Sequence, residues 1–318
     1  MNENVIQKDR LKCAVVGVGY LGKFHAQKYA SMNDVELVGI SDINEEVGQQ
    51  IAQELGCPYY KDYKDLLGKC DMVSVVVPSF KHYEVGMAFL KNGVHCLIEK
   101  PFATTLTQAQ ELKKVADNNS LMLSVGHLER FNPVFQKMQK MCPAPQYITS
   151  ERLTTVTNRS LDINVVLDLM IHDLDLVLQL VDSPIKDVHC LGVPIISKYT
   201  DVANSYILFE NGSVANISVS RISNNSSRKM RIFAKELYFS ANLQDKSYII
   251  GRNLGQGKID ENRGDFATEN VDTLQMEIRD CVDAVKHNRS PLITAASALQ
   301  TLEIALTISG KLKDTFDD

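Results

Sequence analysis

The sequence predicts an α/β protein in two parts. An N-terminal Rossmann-type, doubly wound parallel sheet is followed by a C-terminal α+β domain with an open, mainly antiparallel sheet. Three observations predict this. The first part alternates short β-branched runs with amphipathic helical patterns, the order that builds a parallel sheet covered on both faces. A glycine-rich turn, Gly17–Gly22, lies between the first of those runs and the first helical pattern. After Gly126 the pattern changes to long alternating stretches broken by one helix. At 318 residues the chain has room for two domains, and we place them at 1–126 and 127–318, with the last helix able to pack back on the first.

Taken in order, Leu11–Val16 reads as a strand, and Gly17–Gly22 as a turn running into a helix to about Met32. Val35–Ser41 is the next strand and Glu45–Leu55 a helix, while Asp71–Val77 is almost continuously apolar, as a buried parallel strand is. A helix near Tyr83–Asn92, a strand Val94–Ile98, a helix Thr107–Asn118 capped by Thr107 and a strand Leu121–Val125 complete the first part. Pro133 opens a helix to about Met141, where its missing N–H is harmless, and Cys142-Pro143-Ala144-Pro145 ends it. The stretches Gln146–Thr157, Val188–Ile196, Ser205–Glu210, Val214–Ile222 and Met230–Ile250 alternate as strands do, with Asn211-Gly212 a hairpin turn. A helix over about Ile163–Val181 interrupts them. Gly251–Thr268 reads as a polar loop, and helices near Thr273–His287 and Ala295–Lys311 close the chain.

Lys+Arg total 34 and Asp+Glu 39, a formal charge of −5, with no block of like charges. That argues against nucleic acid as a partner, and Arg228, Lys229 and Arg231 read as the solvated face of a strand. No stretch approaches the ~18 uninterrupted apolar residues of a membrane span. Lys8, Arg10 and Lys12 ahead of Cys13–Gly22 imitate a signal peptide, but Glu3, Asp9 and three glycines in the run oppose it. Seven cysteines, with no C-x-x-C spacing, read as reduced thiols of a cytoplasmic protein and exclude a zinc site of ordinary spacing.

Gly17-Val18-Gly19-Tyr20-Leu21-Gly22 is G-x-G-x-x-G, placed after a strand and opening a helix, and a second strand ends in Asp42, twenty residues past Gly22. Glycines let backbone N–H groups approach a pyrophosphate, and the helix N-terminus at Tyr20 and Leu21 supplies positive potential. Asp42 would accept hydrogen bonds from an adenosine ribose diol and repel a 2′-phosphate, which favours NAD over NADP.

Glu99-Lys100-Pro101 follows a buried strand, and Pro78-Ser79-Phe80-Lys81-His82 follows another. Ligands of doubly wound sheets collect at the carboxyl ends of strands, so both segments border the cofactor. Asp168 and His172 stand at i, i+4 on one predicted helix, where the carboxylate can orient the imidazole. His172 could then take a proton from a substrate hydroxyl, and Lys100 could stabilise a developing alkoxide. A surface ion pair and a lysine that merely neutralises Glu99 are the plain alternatives. Asp168, His172 and Asp175 also fall at i, i+4, i+7, but hydride transfer needs no metal and none is expected.

With these residues in view the chain resembles the glucose–fructose oxidoreductase / inositol dehydrogenase (Gfo/Idh/MocA) family of NAD(P)-dependent sugar dehydrogenases, from about Lys12 to Lys311. The resemblance rests on Gly17–Gly22, the Pro78…His82 turn, Glu99-Lys100-Pro101 and Asp168-x-x-x-His172. It implies a Rossmann domain paired with an α+β domain whose open sheet forms homo-oligomer contacts, as a dimer or tetramer. It implies Lys100 and His172 as the catalytic pair with Asp168 beside them, and Pro78, Ser79, His82, Glu99 and Lys100 on the cofactor side. Val125–Pro133 and Val165–Asp175 look like the nucleotide-sugar branch, the UDP-N-acetylglucosamine 3-dehydrogenases, in which Arg159 matches an arginine before the helix. Asn164 departs from that branch, standing where a glycine is usual. Glu129, Arg130 and Pro133 read equally well as junction and helix-start residues, and His25 and His127 as packing residues.

The leading expectation is NAD-dependent oxidation of the C3 hydroxyl of a UDP-N-acetylhexosamine, feeding amino-sugar synthesis for lipid A or surface polysaccharide. The competing ones are a dehydrogenase of a free polyol or sugar such as myo-inositol, and a non-catalytic regulator that binds NAD and a sugar.

Overall fold

A computed structural model describes residues 10–156, 163–266, 268, 269 and 271–313. The chain divides into two compact units: residues up to His127 with Leu274–Leu299, and Leu128–Thr273 with the residues from Gln300 onward.

In the first unit Leu11–Val16 (β1), Tyr20–Ser31 (α1), Val35–Ser41 (β2), Glu45–Leu55 (α2), Tyr59–Tyr60 (β3), Met72–Val75 (β4), His82–Lys91 (α3), His95–Ile98 (β5), Leu106–Asn118 (α4) and Leu123–Val125 (β6) follow one another. The sheet order is β3-β2-β1-β4-β5-β6, with every pairing parallel. The order reverses between β1 and β4, so the crevice beyond their carboxyl ends is where a dinucleotide belongs. Alternation sends Leu97 into a core with Cys13, Val15, Tyr29 and Ile51, and Ile98 to the opposite face, against Gly86 of α3 and Leu112 of α4. The sheet is thereby covered on both sides. α2 is closed at both ends, by the Asn44 side chain on Val47 N and by Gly56 in the left-handed region at φ 66°. The α4 cap is Thr105 and not Thr107: the chain is extended at Thr105, whose hydroxyl accepts from Gln108 N. The two-residue β3 was not legible, being too short to alternate.

The second unit contains Pro133–Met141 (α5), Tyr147–Leu153 (β7), Ile171–Leu180 (α6), Ile185–Val193 (β8), Val202–Phe209 (β9), Val214–Ser220 (β10), Ser227–Ala234 (β11), Leu237–Asn242 (β12), Ser247–Gly255 (β13) and Lys258–Asp265 (β14). The sheet order is β14-β13-β12-β11-β7-β10-β9-β8, with β7 and β10 parallel and all other pairs antiparallel. One face carries Ile148, Ile207, Ile217, Ile232 and Phe239, buried under Leu174, Val177 and Ile308. The other carries Asn204, whose amide donates to Asn216 and Ser218, and a row of Tyr147, Phe233 and Tyr238 with ring centroids 6.0 and 5.5 Å apart.

Two expectations are corrected here. The Met230–Ile250 stretch is three strand segments: Lys235-Glu236 reverses the chain between Ala234 and Leu237, with Glu236 at φ 60°, and residues 243–246 reverse it again before Ser247. Gly251–Thr268 is no loop: most of it is the β13–β14 hairpin, turned at Gln256-Gly257, both at positive φ. Polarity misled the sequence reading, since β14 is exposed along almost its whole length and needs no apolar face.

Thr273–Lys286 (α7) and Ala295–Lys313 (α8) end the described chain. Ile278, Cys281 and Val282 of α7 lie in the core of the parallel sheet, and Arg279 and Lys286 pair with Asp34, so this helix counts with the first unit. Ala305, Ile308 and Leu312 of α8 pack in the second.

Candidate active site

The dinucleotide turn separates three glycine roles. Gly17 sits at φ 84°, and a Cβ there would lie 2.4 Å from the Val76 carbonyl oxygen at the end of β4. A Cβ on Gly22 would lie 1.8 Å from the Gly17 carbonyl oxygen, so the helix closes directly on the turn. A Cβ on Gly19 would meet nothing within 4 Å. Two glycines serve packing, and the third leaves open space at the N-terminus of α1, which no side chain caps. Tyr20 and Leu21 form the first turn there; the Tyr20 ring is largely exposed and stands edge-on to Phe24.

Asp42 accepts from Val18 N through Oδ2 and from Asn44 N through Oδ1, each at 2.8 Å. Each oxygen keeps acceptor capacity for a ribose hydroxyl. Ile43 beside it is 90% exposed, an apolar shelf for a base. Gly17, Gly19, Asp42, Ile43, Pro78 and Phe80 border a cavity of about 840 Å³, large enough for the adenosine part of a dinucleotide. The turn, the carboxylate and this cavity fit NAD.

At the neighbouring strand ends, Pro78 is exposed, and Ser79 begins a short turn into α3. His82 is 1% exposed, with Nδ1 2.7 Å from the Pro101 carbonyl oxygen and Nε2 2.9 Å from that of Val77. Burial pushes its pKa down despite both carbonyls. The ring thus braces two chain segments, and neither nitrogen is turned to the cavity. Glu99 is also buried: Oε1 lies 3.2 Å from His25 Nε2, and Oε2 accepts from Lys100 N at 3.2 Å. Burial would raise its carboxyl pKa, but the hydrogen bond and charge of His25, with Lys100, outweigh that and hold it below the ordinary value. Lys100 itself is half-buried at a cis bond to Pro101, and Phe102 and Ala103 beyond it are buried.

In the second unit, Asp168 and His172 are both half-buried. The single helix expected over Ile163–Val181 begins instead as a wide π-type turn, Val166–Met170, and becomes regular at Ile171. Asp168 lies in the turn and His172 in the first turn of α6. Asn164, at the glycine position of the branch, accepts from Leu167 N through its side chain and so closes the start of that turn. The Arg221 guanidinium donates to the Ile163 carbonyl and holds the segment just ahead. Arg159 lies outside the described residues.

The buried pairing around His172 was missed. Asp173 takes Arg152 Nε at 2.6 Å and the Ser150 hydroxyl at 2.7 Å; Asp175 takes Arg130 Nε at 2.7 Å and the Thr301 hydroxyl at 3.1 Å. Arg152 also reaches Glu129 at 3.1 Å. All five charged side chains are buried. Burial opposes the charge on Arg152, but Asp173 and Glu129 overcome it and raise its pKa. The signal was present: two aspartates in an otherwise apolar helix need buried partners. With Asp175 committed to Arg130, the i, i+4, i+7 metal face is not assembled, and among the described residues no three His, Cys, Asp or Glu side chains are placed to hold a metal.

Residues 11–127 match the model of an oxidoreductase family with an NAD-binding Rossmann fold, and 143–239 match the GFO/IDH/MocA C-terminal domain. The chain belongs to the Gfo/Idh/MocA family. Within it, UDP-N-acetylglucosamine 3-dehydrogenase of Acidithiobacillus ferrooxidans is 37% identical over 305 residues, 94% of this chain and 96% of that one. Its solved structure matches with a TM-score of 0.91 at 35% identity, over 96% of this chain and 98% of the other. The scyllo-inositol 2-dehydrogenase (NAD(+)) of Bacillus subtilis is 23% identical over 96% of this chain and 95% of its own length. A scyllo-inositol dehydrogenase from Lactobacillus casei, solved with bound NAD(H) and scyllo-inositol, shares the fold at a TM-score of 0.81, covering 96% of this chain and 98% of that one, with 18% identity.

As a Gfo/Idh/MocA protein the chain is an oxidoreductase with an NAD-binding Rossmann unit. Among the described residues no helix is long and apolar enough to cross a membrane.

Proposed function

We propose that the protein oxidises the C3 hydroxyl of a UDP-N-acetylhexosamine, such as UDP-N-acetylglucosamine, to the 3-keto sugar with NAD. The observation that carries this reading is the end-to-end similarity to UDP-N-acetylglucosamine 3-dehydrogenase at 37% identity. NAD, when bound, supplies the hydride acceptor. The Gly17–Gly22 turn holds the pyrophosphate and Asp42 the ribose diol. His172, oriented by Asp168, takes the hydroxyl proton as the C3–H bond breaks. Lys100 donates to the same oxygen and stabilises the alkoxide that forms.

A cavity of about 370 Å³ lies in the second unit. Arg228 and Lys246 border it, and its one lining carboxylate, Glu129, is already shared by Arg152 and Arg228. The 3-keto product suits a following aminotransferase, and we extend the reading to cytoplasmic amino-sugar supply for lipid A or surface polysaccharide. We also propose self-association through the open face of the second unit's sheet, on the strength of its Tyr147, Phe233 and Tyr206 side chains, each about 40% exposed. Light scattering at micromolar concentration should report a dimer or tetramer; a monomer refutes that part.

The deciding assay follows NAD reduction across a panel of UDP-sugars and free polyols. UDP-N-acetylglucosamine deuterated at C3 should place its label on the nicotinamide ring. Activity with myo-inositol and with no UDP-sugar would overturn the assignment.

A further inference from the structure

A buried hydrogen-bond chain runs through the first unit to the backbone of Lys100. The Tyr29 hydroxyl lies 2.8 Å from the Ser74 hydroxyl, which lies 3.2 Å from His25 Nδ1. His25 Nε2 lies 3.2 Å from Glu99 Oε1, and Glu99 Oε2 accepts from Lys100 N at 3.2 Å. Tyr29, Ser74 and His25 are each 0% exposed and Glu99 is 6%. The four side chains come from three elements, α1, β4 and the end of β5.

The chain is anchored at Glu99. An ionised carboxylate only accepts, so His25 must present Nε2–H to Glu99. Beyond it His25 Nδ1 meets the Ser74 hydroxyl, and Ser74 meets the Tyr29 hydroxyl, each hydroxyl able to donate or accept. All four side chains are buried, so breaking any of these contacts strands a buried polar atom. The carboxylate is also blocked on its far side. A Cβ on Gly126 would lie 2.8 Å from both Glu99 oxygens, so this glycine leaves only the room that the carboxylate occupies.

We propose that His25, Glu99 and Gly126 are positioning residues for Lys100: together they fix the carboxylate that anchors the Lys100 backbone, and thereby aim its ammonium at the reacting oxygen. The inference rests on the role given to Lys100 under the proposed function. It explains why a histidine lies buried within the dinucleotide-binding helix and why the residue after β6 is glycine.

The test uses the full-length enzyme with NAD and UDP-N-acetylglucosamine. His25→Leu and Gly126→Ala should each lower kcat by about 10–100-fold, the cost of displacing a reacting group by roughly 1 Å. KM for NAD should stay within about threefold, because the dinucleotide turn is untouched. Glu99→Gln should restore much of the rate that Glu99→Leu loses. The amide can keep both contacts if the imidazole exchanges its tautomer, with Nδ1–H then donating to Ser74. In a Lys100→Met background, His25→Leu should add almost no further loss, since it acts only through Lys100. Folded His25→Leu or Gly126→Ala protein with unchanged kcat overturns the proposal, as does a loss that simply adds to that of Lys100→Met. If His25→Leu fails to fold, Gly126→Ala and the Glu99 pair decide the matter. An inactive wild type with every sugar would instead fail the proposed function, before any of these comparisons is made.

Discussion

Arg130 grips Asp175 inside the second unit, Nε to Oδ2 at 2.7 Å, with both side chains buried. The helix that carries His172 is held by this pair and, two residues earlier, by Asp173 on Arg152. His172 stands one residue before the first of these anchors. Its orientation follows from the helix rotation that they fix.

Removing one partner leaves an uncompensated buried charge. Arg130→Ala should cost about 3–5 kcal/mol. Replacing both partners, as in Arg130→Met with Asp175→Leu, should return most of that loss, because neither charge is then left alone. Urea unfolding measures both. A single variant within about 1 kcal/mol of wild type would show that the pair does not hold the helix.

A second anchor is sensitive to acid. Asp34 takes hydrogen bonds from Lys286 at 2.6 Å and from Arg279 at 3.0 Å, and with burial a smaller opposing effect its pKa falls from 3.8 to about 2. A carboxyl whose pKa is depressed by folding stabilises the fold above its unfolded value, and loses that contribution as pH falls through the folded value. Asp34→Asn should therefore lower Tm at pH 7, and the gap to wild type should shrink below pH 3.8 and close near pH 2. A gap constant from pH 7 to pH 2 would show that this contact has no part in holding α7.

Asp42 should set cofactor choice. Its two oxygens already brace Val18 N and Asn44 N, so Asp42→Ala disturbs the turn for either cofactor. Only NAD loses, in addition, a carboxylate acceptor for both ribose hydroxyls. At about 1.5–3 kcal/mol for a hydrogen bond to a charged group, the preference for NAD over NADP should fall by about 10–100-fold. Fluorescence titration of each reduced cofactor gives the ratio, and equal weakening of both would remove Asp42 from the ribose.

The parallel sheet was legible because it is built from periodic apolar runs joined at glycine. Gly17, Gly22 and Asp42 occupy the places their spacing demanded. The second unit was less so, for a physical reason: β13 and β14 bury little, and strands that bury little show no alternation. The sequence offered Lys100, Asp168 and His172 as chemistry, but it could not offer their supports. Arg152 meets Asp173 from another strand, and His25 meets Glu99 across 74 residues of chain. His82 shows a second support that spacing did not reveal. Its place in the turn after β4 puts it on the cofactor side, and its ring nitrogens meet the carbonyls of Val77 and Pro101.

Lys100 and His172 belong to different units, so each can be altered without disturbing the other's supports. Lys100→Met keeps much of the aliphatic stem while removing the charge and the donor. Losing a donor to a developing oxyanion costs about 10²–10³ in turnover. His172→Ala removes the proposed proton acceptor, which should cost about 10²–10⁴. In the proposed mechanism both act on one oxygen in one step: the proton leaves it as the hydride leaves the carbon, and the ammonium stabilises what remains. The double variant should therefore be little worse than the poorer single one. Binding should separate from chemistry, with NAD affinity nearly unchanged in Lys100→Met because the turn and Asp42 are intact. Wild-type protein given C3-deuterated UDP-N-acetylglucosamine should turn over more slowly where hydride transfer limits the rate. If the two losses multiply in full, Lys100 and His172 serve separate steps, and the shared-oxygen mechanism fails.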